Sequence, residues 1–132
     1  MARALKMVHQ VDPKEDLLDR SADFVKGIQV LGARVLIATY LRPEKTAGGI
    51  IMTDKSREED RWQGKVGLVV ALGPLAFKDD ETHAWGELRP AVGDWVLVNI
   101  GDTRRLDVGE NPCRFVEDVH VQAILDNPDA VW

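Results

Sequence analysis

Lys65-Val66-Gly67-Leu68-Val69-Val70-Ala71-Leu72 reads with a period of two: Val66, Leu68, Val70 and Leu72 fall on one side, Gly67, Val69 and Ala71 on the other. A helix repeats its apolar positions every three or four residues, so this stretch predicts a β-strand. Arg34–Leu41 has the same rhythm, with Val35, Ile37, Thr39 and Leu41 alternating against Leu36, Ala38 and Tyr40. Trp95–Ile100 alternates again, and Arg114–Glu117 and Val119–Leu125 add two short β-prone runs. Gly, Pro and Asp separate these segments, and no second long helical pattern occurs. The expected fold class is all-β, a sandwich or small barrel.

Ahead of the strands, Asp12-Pro13-Lys14-Glu15 carries the signals of a helix start: a capping Asp, Pro at the first helical position and Glu three residues after the cap. A short helix over about 13–22 puts Leu17, Leu18 and Ala22 on or near one side, and Gly27 ends it. Alone it would be unstable, so it must dock on something. The organisation expected is an N-terminal arm over 1–27, a β domain over 28–126 and a tail over 127–132. Residues 42–64 and 73–93 form two long connections, and 101–111 reads as a third made of turns, from Gly101-Asp102 and Gly109-Glu110-Asn111-Pro112. Connections of that length inside a compact domain are where function is to be sought.

Composition narrows the function classes. The 132 residues are 45% hydrophobic and 30% charged, which suits one folded domain. Seventeen Lys and Arg against 22 Asp and Glu give a net charge of −5, with the bases scattered among acids rather than clustered to track phosphates. A nucleic-acid partner is not expected. No apolar run approaches the roughly 18 residues of a membrane helix, and Met1–Met7 holds no signal-like apolar core. Cys113, the one cysteine, forms neither an internal disulfide nor a cysteine zinc site by itself and reads as a buried structural thiol. A soluble protein of a reducing compartment, the cytoplasm, is expected.

The 42–64 connection is polar and charged at its flanks but has Gly48-Gly49-Ile50-Ile51-Met52 at its centre. Each of those three large side chains gains about 1.5–3 kcal/mol on full burial. The double glycine leaves the backbone free to reorient. Two readings fit: a linear recognition element that orders on binding, or an ordinary strand at 49–53 pairing within the sheet.

Here the sequence resembles the GroES-type co-chaperonins. The resemblance rests on Arg34-Val35-Leu36-Ile37, on Lys45-Thr46-Ala47-Gly48-Gly49-Ile50-Ile51-Met52-Thr53, on Gly64-Lys65-Val66 and on Val70-Ala71-Leu72-Gly73. Val92-Gly93-Asp94-Trp95-Val96 and Val121-Gln122-Ala123-Ile124-Leu125 follow in matching order, so about 28–126 is covered. The resemblance implies an irregular β-barrel, a homo-oligomer that is usually a heptameric dome, and a GroEL-type chaperonin as partner. It also implies that 42–64 is the mobile-type loop, with Ile50, Ile51 and Met52 as chaperonin-binding anchors and Gly48 and Gly49 as the loop hinge. Met in the usual leucine place nearly conserves volume. Residues 73–93 are implied to be the roof-type loop, with 74–90 in the place of the roof hairpin.

Val30-Leu31-Gly32-Ala33 departs from the proline-leucine-x-aspartate that usually opens the family's first strand. The arm and the tail Asp126-Asn127-Pro128-Asp129-Ala130-Val131-Trp132 also exceed a minimal co-chaperonin, and look more like bacteriophage members. Two functions follow. One is a co-chaperonin that assists folding, for instance of a capsid protein. The other is a virion structural protein, a capsid decoration, cement or connector, whose partners are capsid proteins and whose extensions strap onto neighbours.

Other chemistry is sparse. Asp79-Asp80-Glu81-Thr82-His83 is the nearest thing to a metal cluster, yet it offers too few zinc-type ligands and reads as a solvated acidic loop. His9 and His120 have no partner at ligand spacing. No phosphate loop, nucleophile elbow or HExxH motif occurs. No catalytic residue, metal or cofactor is expected, and the chain does not read as an enzyme. Trp62, Trp85 and Trp132 fall in loops or at the end, where amphipathic rings often mark interfaces.

Overall fold

The computed structural model describes residues 12–41, 65–109 and 111–130. Helix α1 spans Pro13–Val25 and starts where the cap signals placed it: Asp12 has extended backbone and its carboxylate accepts the Lys14 N–H at 3.3 Å. It runs past residue 22 because Phe24 and Val25 prolong the apolar side, and both join Leu17 and Leu18 against the sheet. Burial of that side stabilises a helix otherwise too short to persist.

The strands are β1 (Arg34–Thr39), β2 (Val66–Leu72), β3 (Trp95–Val98), β4 (Thr103–Val108), β5 (Asn111–Glu117) and β6 (Val121–Leu125). They form one six-stranded sheet in the order β4-β5-β1-β2-β3-β6, every pair antiparallel. One rib crosses its full width in register: Leu106, Cys113, Ala38, Leu68, Trp95 and Leu125. All six belong to a single apolar cluster with Leu36, Tyr40, Val66 and Val70, and α1 covers it. The opposite face carries Val35, Ile37, Val69, Val96, Val98 and Val116, covered by Phe77 and Trp85 from the 73–93 connection. Both faces of the central strands are therefore dry, which matches the apolar residues on both sides of the alternation.

The all-β class holds, with corrections of detail. The expected barrel is not closed: among the described strands, β4 and β6 end the sheet and do not pair with each other. The sheet instead curls, since Leu106 and Val108 at one end and Leu97 and Leu125 at the other pack on the same cluster. Residues 101–111 are not all turn, because β4 lies within them and forms a hairpin with β5 through Gly109, whose φ of 63° suits glycine. The charges of Arg104, Arg105 and Asp107 hide this strand in the sequence, and its pairing supplies the order they do not signal.

Leu72 does not share a side with Val66, Leu68 and Val70. A bulge at Val70, between the pairs Ile37–Val69 and Leu36–Ala71, turns Leu72 onto the opposite face, where it packs beside Val35. In the place of the roof hairpin, residues 74–90 contain no strand. Strand β3 also stops at Val98, with Ile100–Asp102 forming a 3-10 turn, and another 3-10 turn over Asp118–His120 precedes β6.

Candidate functional site

An antiparallel sheet sends successive connections to opposite ends. The 42–64 connection leaves β1 and enters β2 at one end, and 73–93 links β2 to β3 at the other. The proposed anchors Ile50, Ile51 and Met52 and the hinge Gly48 and Gly49 lie outside the described residues. What the structure defines is their root. Thr39 stands in register with Gly67, and the Tyr40 N–H donates to the Val66 carbonyl at 2.9 Å. The Val98 N–H donates to the Lys65 carbonyl at 2.9 Å, so both stems of the connection are tied to the middle of the sheet.

Tyr40 is buried to 2% exposure at this root, with its ring edge-on to Trp95 at a centroid distance of 5.3 Å. Its hydroxyl donates to Asp129 Oδ1 at 2.5 Å, across 89 positions of sequence. Asp129 sits in the 3-10 turn Pro128–Ala130, and its N–H is held by Asn127 Oδ1 at 2.9 Å. No local motif marks this pair. A proline-bearing turn after the last strand is the one sequence feature that hints at it.

At the far end, the acidic stretch is an ordered loop. Asp80 Oδ1 accepts from the Thr82 hydroxyl and N–H and from the His83 N–H, and these bonds hold its carboxyl below the ordinary range. Asp79 Oδ1 accepts the Trp85 N–H at 2.7 Å, while its Oδ2 accepts from Arg89 at 2.9 Å. Arg89 also donates to the Phe77 and Gly86 carbonyls at 3.0 and 2.8 Å, so one guanidinium gathers the whole loop. Trp85, one of the three tryptophans that fall in loops or at the end, packs edge-on against Phe77 at 5.1 Å. The acids thus serve as internal hydrogen-bond acceptors, and among the described residues no group of three His, Cys, Asp or Glu is placed to hold a metal.

Cys113 lies fully buried on the rib, and burial, aided by the charge of Asp107, pushes its thiol up to about 11. A neutral thiol in that setting is a packing group, not a nucleophile. His120 is exposed at the end of its 3-10 turn. Arg114, next along β5, is also buried. Burial and then the neighbouring Arg105 lower its pKa, and its guanidinium donates to the Thr103 hydroxyl at 3.1 Å.

Residues 27–125, three quarters of the chain, match the family described as Chaperonin 10 Kd subunit. The chain belongs to that family and is co-chaperonin-like. The match spans β1 to β6 and both long connections, whereas α1 and the C-terminal turn fall outside it.

Proposed function

We propose that this protein caps a GroEL-type chaperonin and assists protein folding without catalysing a reaction. Ile50, Ile51 and Met52 act as the apolar anchors and Gly48-Gly49 as their hinge. The observation that carries this reading is the family match running through 42–64, the segment that holds an aliphatic tripeptide behind a double glycine. One such tripeptide binds modestly. Several copies on a homo-oligomeric ring, a heptamer in the family's usual form, act together through effective concentration. The site of action is the cytoplasm that houses the chaperonin.

A virion structural role draws its support from the two extensions outside the family match. The described parts of both, α1 and the Pro128–Ala130 turn, rest on this chain's own sheet rather than reaching away from it. That favours the co-chaperonin reading.

The test is Ile51→Ser, measured for nucleotide-dependent chaperonin binding and for thermal stability side by side. The expected loss is about 2–3 kcal/mol of binding per loop with the melting temperature unchanged. Unchanged binding together with a destabilised sheet would replace the recognition element with a structural strand and make the virion role the better reading.

A further inference from the structure

We propose that the C-terminal turn is a latch on the root of the 42–64 connection, with Tyr40 and Asp129 as its two halves. Docking of the tail and presentation of that connection are thereby coupled. The inference deepens the recognition reading above and rests on it for its functional consequence, though not for its geometry.

Tyr40 is separated from the 42–64 connection by Leu41 alone, so any force on the connection reaches Tyr40 early. Among the contacts that hold it are the N–H bond to Val66, the ring contact with Trp95 and the hydroxyl bond to Asp129. The first two would serve a phenylalanine equally well. The hydroxyl is what recruits the tail. A carboxylate with only 9% exposure beside an apolar cluster is costly to bury without hydrogen-bond donors, and the Tyr40 hydroxyl supplies one where the tail docks.

The path of the chain makes the contact directional. β6 ends at Leu125, paired with Trp95, and the tail then crosses to the side of Trp95 that Tyr40 occupies. Buried Pro128 and the Asn127 cap set the turn so that Asp129 meets the hydroxyl. Tyr40 lies within the family match and Asp129 beyond it, so the latch joins the shared fold to this chain's own extension. Coupling of this kind is reciprocal: whatever grips the connection and shifts Tyr40 must also loosen the tail.

The experiment follows hydrogen exchange of the Tyr40 amide in the full chain, comparing wild type with Tyr40→Phe, Asp129→Ala, Asp129→Asn and the Tyr40→Phe/Asp129→Ala double variant. Dissociation from a GroEL-type chaperonin with nucleotide is measured in parallel. Tyr40→Phe and Asp129→Ala are each expected to speed exchange at Tyr40 about tenfold, as fits a hydrogen bond to a charged group. Amides in the middle of β1 should stay as they were. Asp129→Asn keeps an acceptor oxygen and should recover part of the protection. The double variant should exchange no faster than either single one, because the two side chains act as one contact.

Chaperonin release should change in the same variants. Unchanged exchange at Tyr40, or acceleration shared by all of β1, would overturn the latch as a local device. Faster exchange with unchanged chaperonin release would overturn its coupling to recognition. If the wild-type protein binds no chaperonin, the recognition reading falls, and the exchange pattern alone decides whether the latch stands.

Discussion

Asp118 Oδ2 accepts the backbone N–H of Phe77 at 3.0 Å, and so joins the end of β5 to the start of the 73–93 connection. Asp118 is buried, and its own N–H donates to the Ala33 carbonyl at 2.9 Å just before β1 begins. Phe77 holds a φ of 58°, a conformation that a bulky residue adopts only when its surroundings impose it. The carboxylate is one of those surroundings. The ring, packed beneath Trp85, is the other.

Asp118→Ala is therefore expected to cost about 1–3 kcal/mol, the penalty for leaving the Phe77 N–H and its neighbourhood without an acceptor. Asp118→Asn keeps an oxygen at the same reach and should lose less. Urea unfolding of the three proteins measures the order. A loss for Asp118→Asn equal to that for Asp118→Ala would show that charge, not hydrogen bonding, holds the turn.

Gly73 ends β2 where two backbones nearly touch. A Cβ there would stand 2.2 Å from the Gly32 carbonyl oxygen and 3.0 Å from that of Leu31, neither of which can swing aside as a side chain would. Gly73→Ala should destabilise the fold by about 3 kcal/mol, the upper end of the usual overpacking cost. Gly101→Ala is the control, since its Cβ would meet nothing nearer than Asn99 Nδ2 at 3.9 Å. Melting temperatures of the two variants should differ clearly in that direction.

The Cys113 thiol, raised from 9.0 to about 11, predicts a stability change at alkaline pH. In the unfolded chain the thiol loses its proton first, so between about pH 9 and pH 11 the unfolded state binds fewer protons and stability falls as pH rises. The contribution is on the order of 2 kcal/mol and is fully present below pH 9. Cys113→Ala should be less stable throughout but should lack this part of the alkaline decline. Parallel slopes for the two proteins across that window would contradict the assignment.

Much of this was legible in the chain because the signals are local. The cap at Asp12 works through neighbouring atoms, so α1 begins where the residues place it. The alternation in Arg34–Tyr40 survives intact, with Val35 and Ile37 on one face and Leu36, Ala38 and Tyr40 on the other. Gly48-Gly49-Ile50-Ile51-Met52 is a contiguous pattern too, but by itself it fits a recognition element or a strand, and only the family resemblance makes Ile50, Ile51 and Met52 anchors. Their position lies outside the described residues; of the root beneath them, the two strands were readable and the Tyr40–Asp129 contact was not.

The alternation in Arg34–Tyr40, the helix cap and the family of this protein were legible in sequence alone, because each rests on runs of neighbouring residues. Tertiary structure decided the rest. Strand β4 exists because β5 pairs with it, against charges that by themselves read as a turn. Leu72 changes faces because the β1–β2 register admits one extra residue at Val70. Phe77 takes its left-handed backbone in a turn tied to Asp118, and Tyr40 finds Asp129 at the far end of the chain. In each case the deciding energy lies in a contact between distant segments, and that contact comes into being only when the sheet has brought them together.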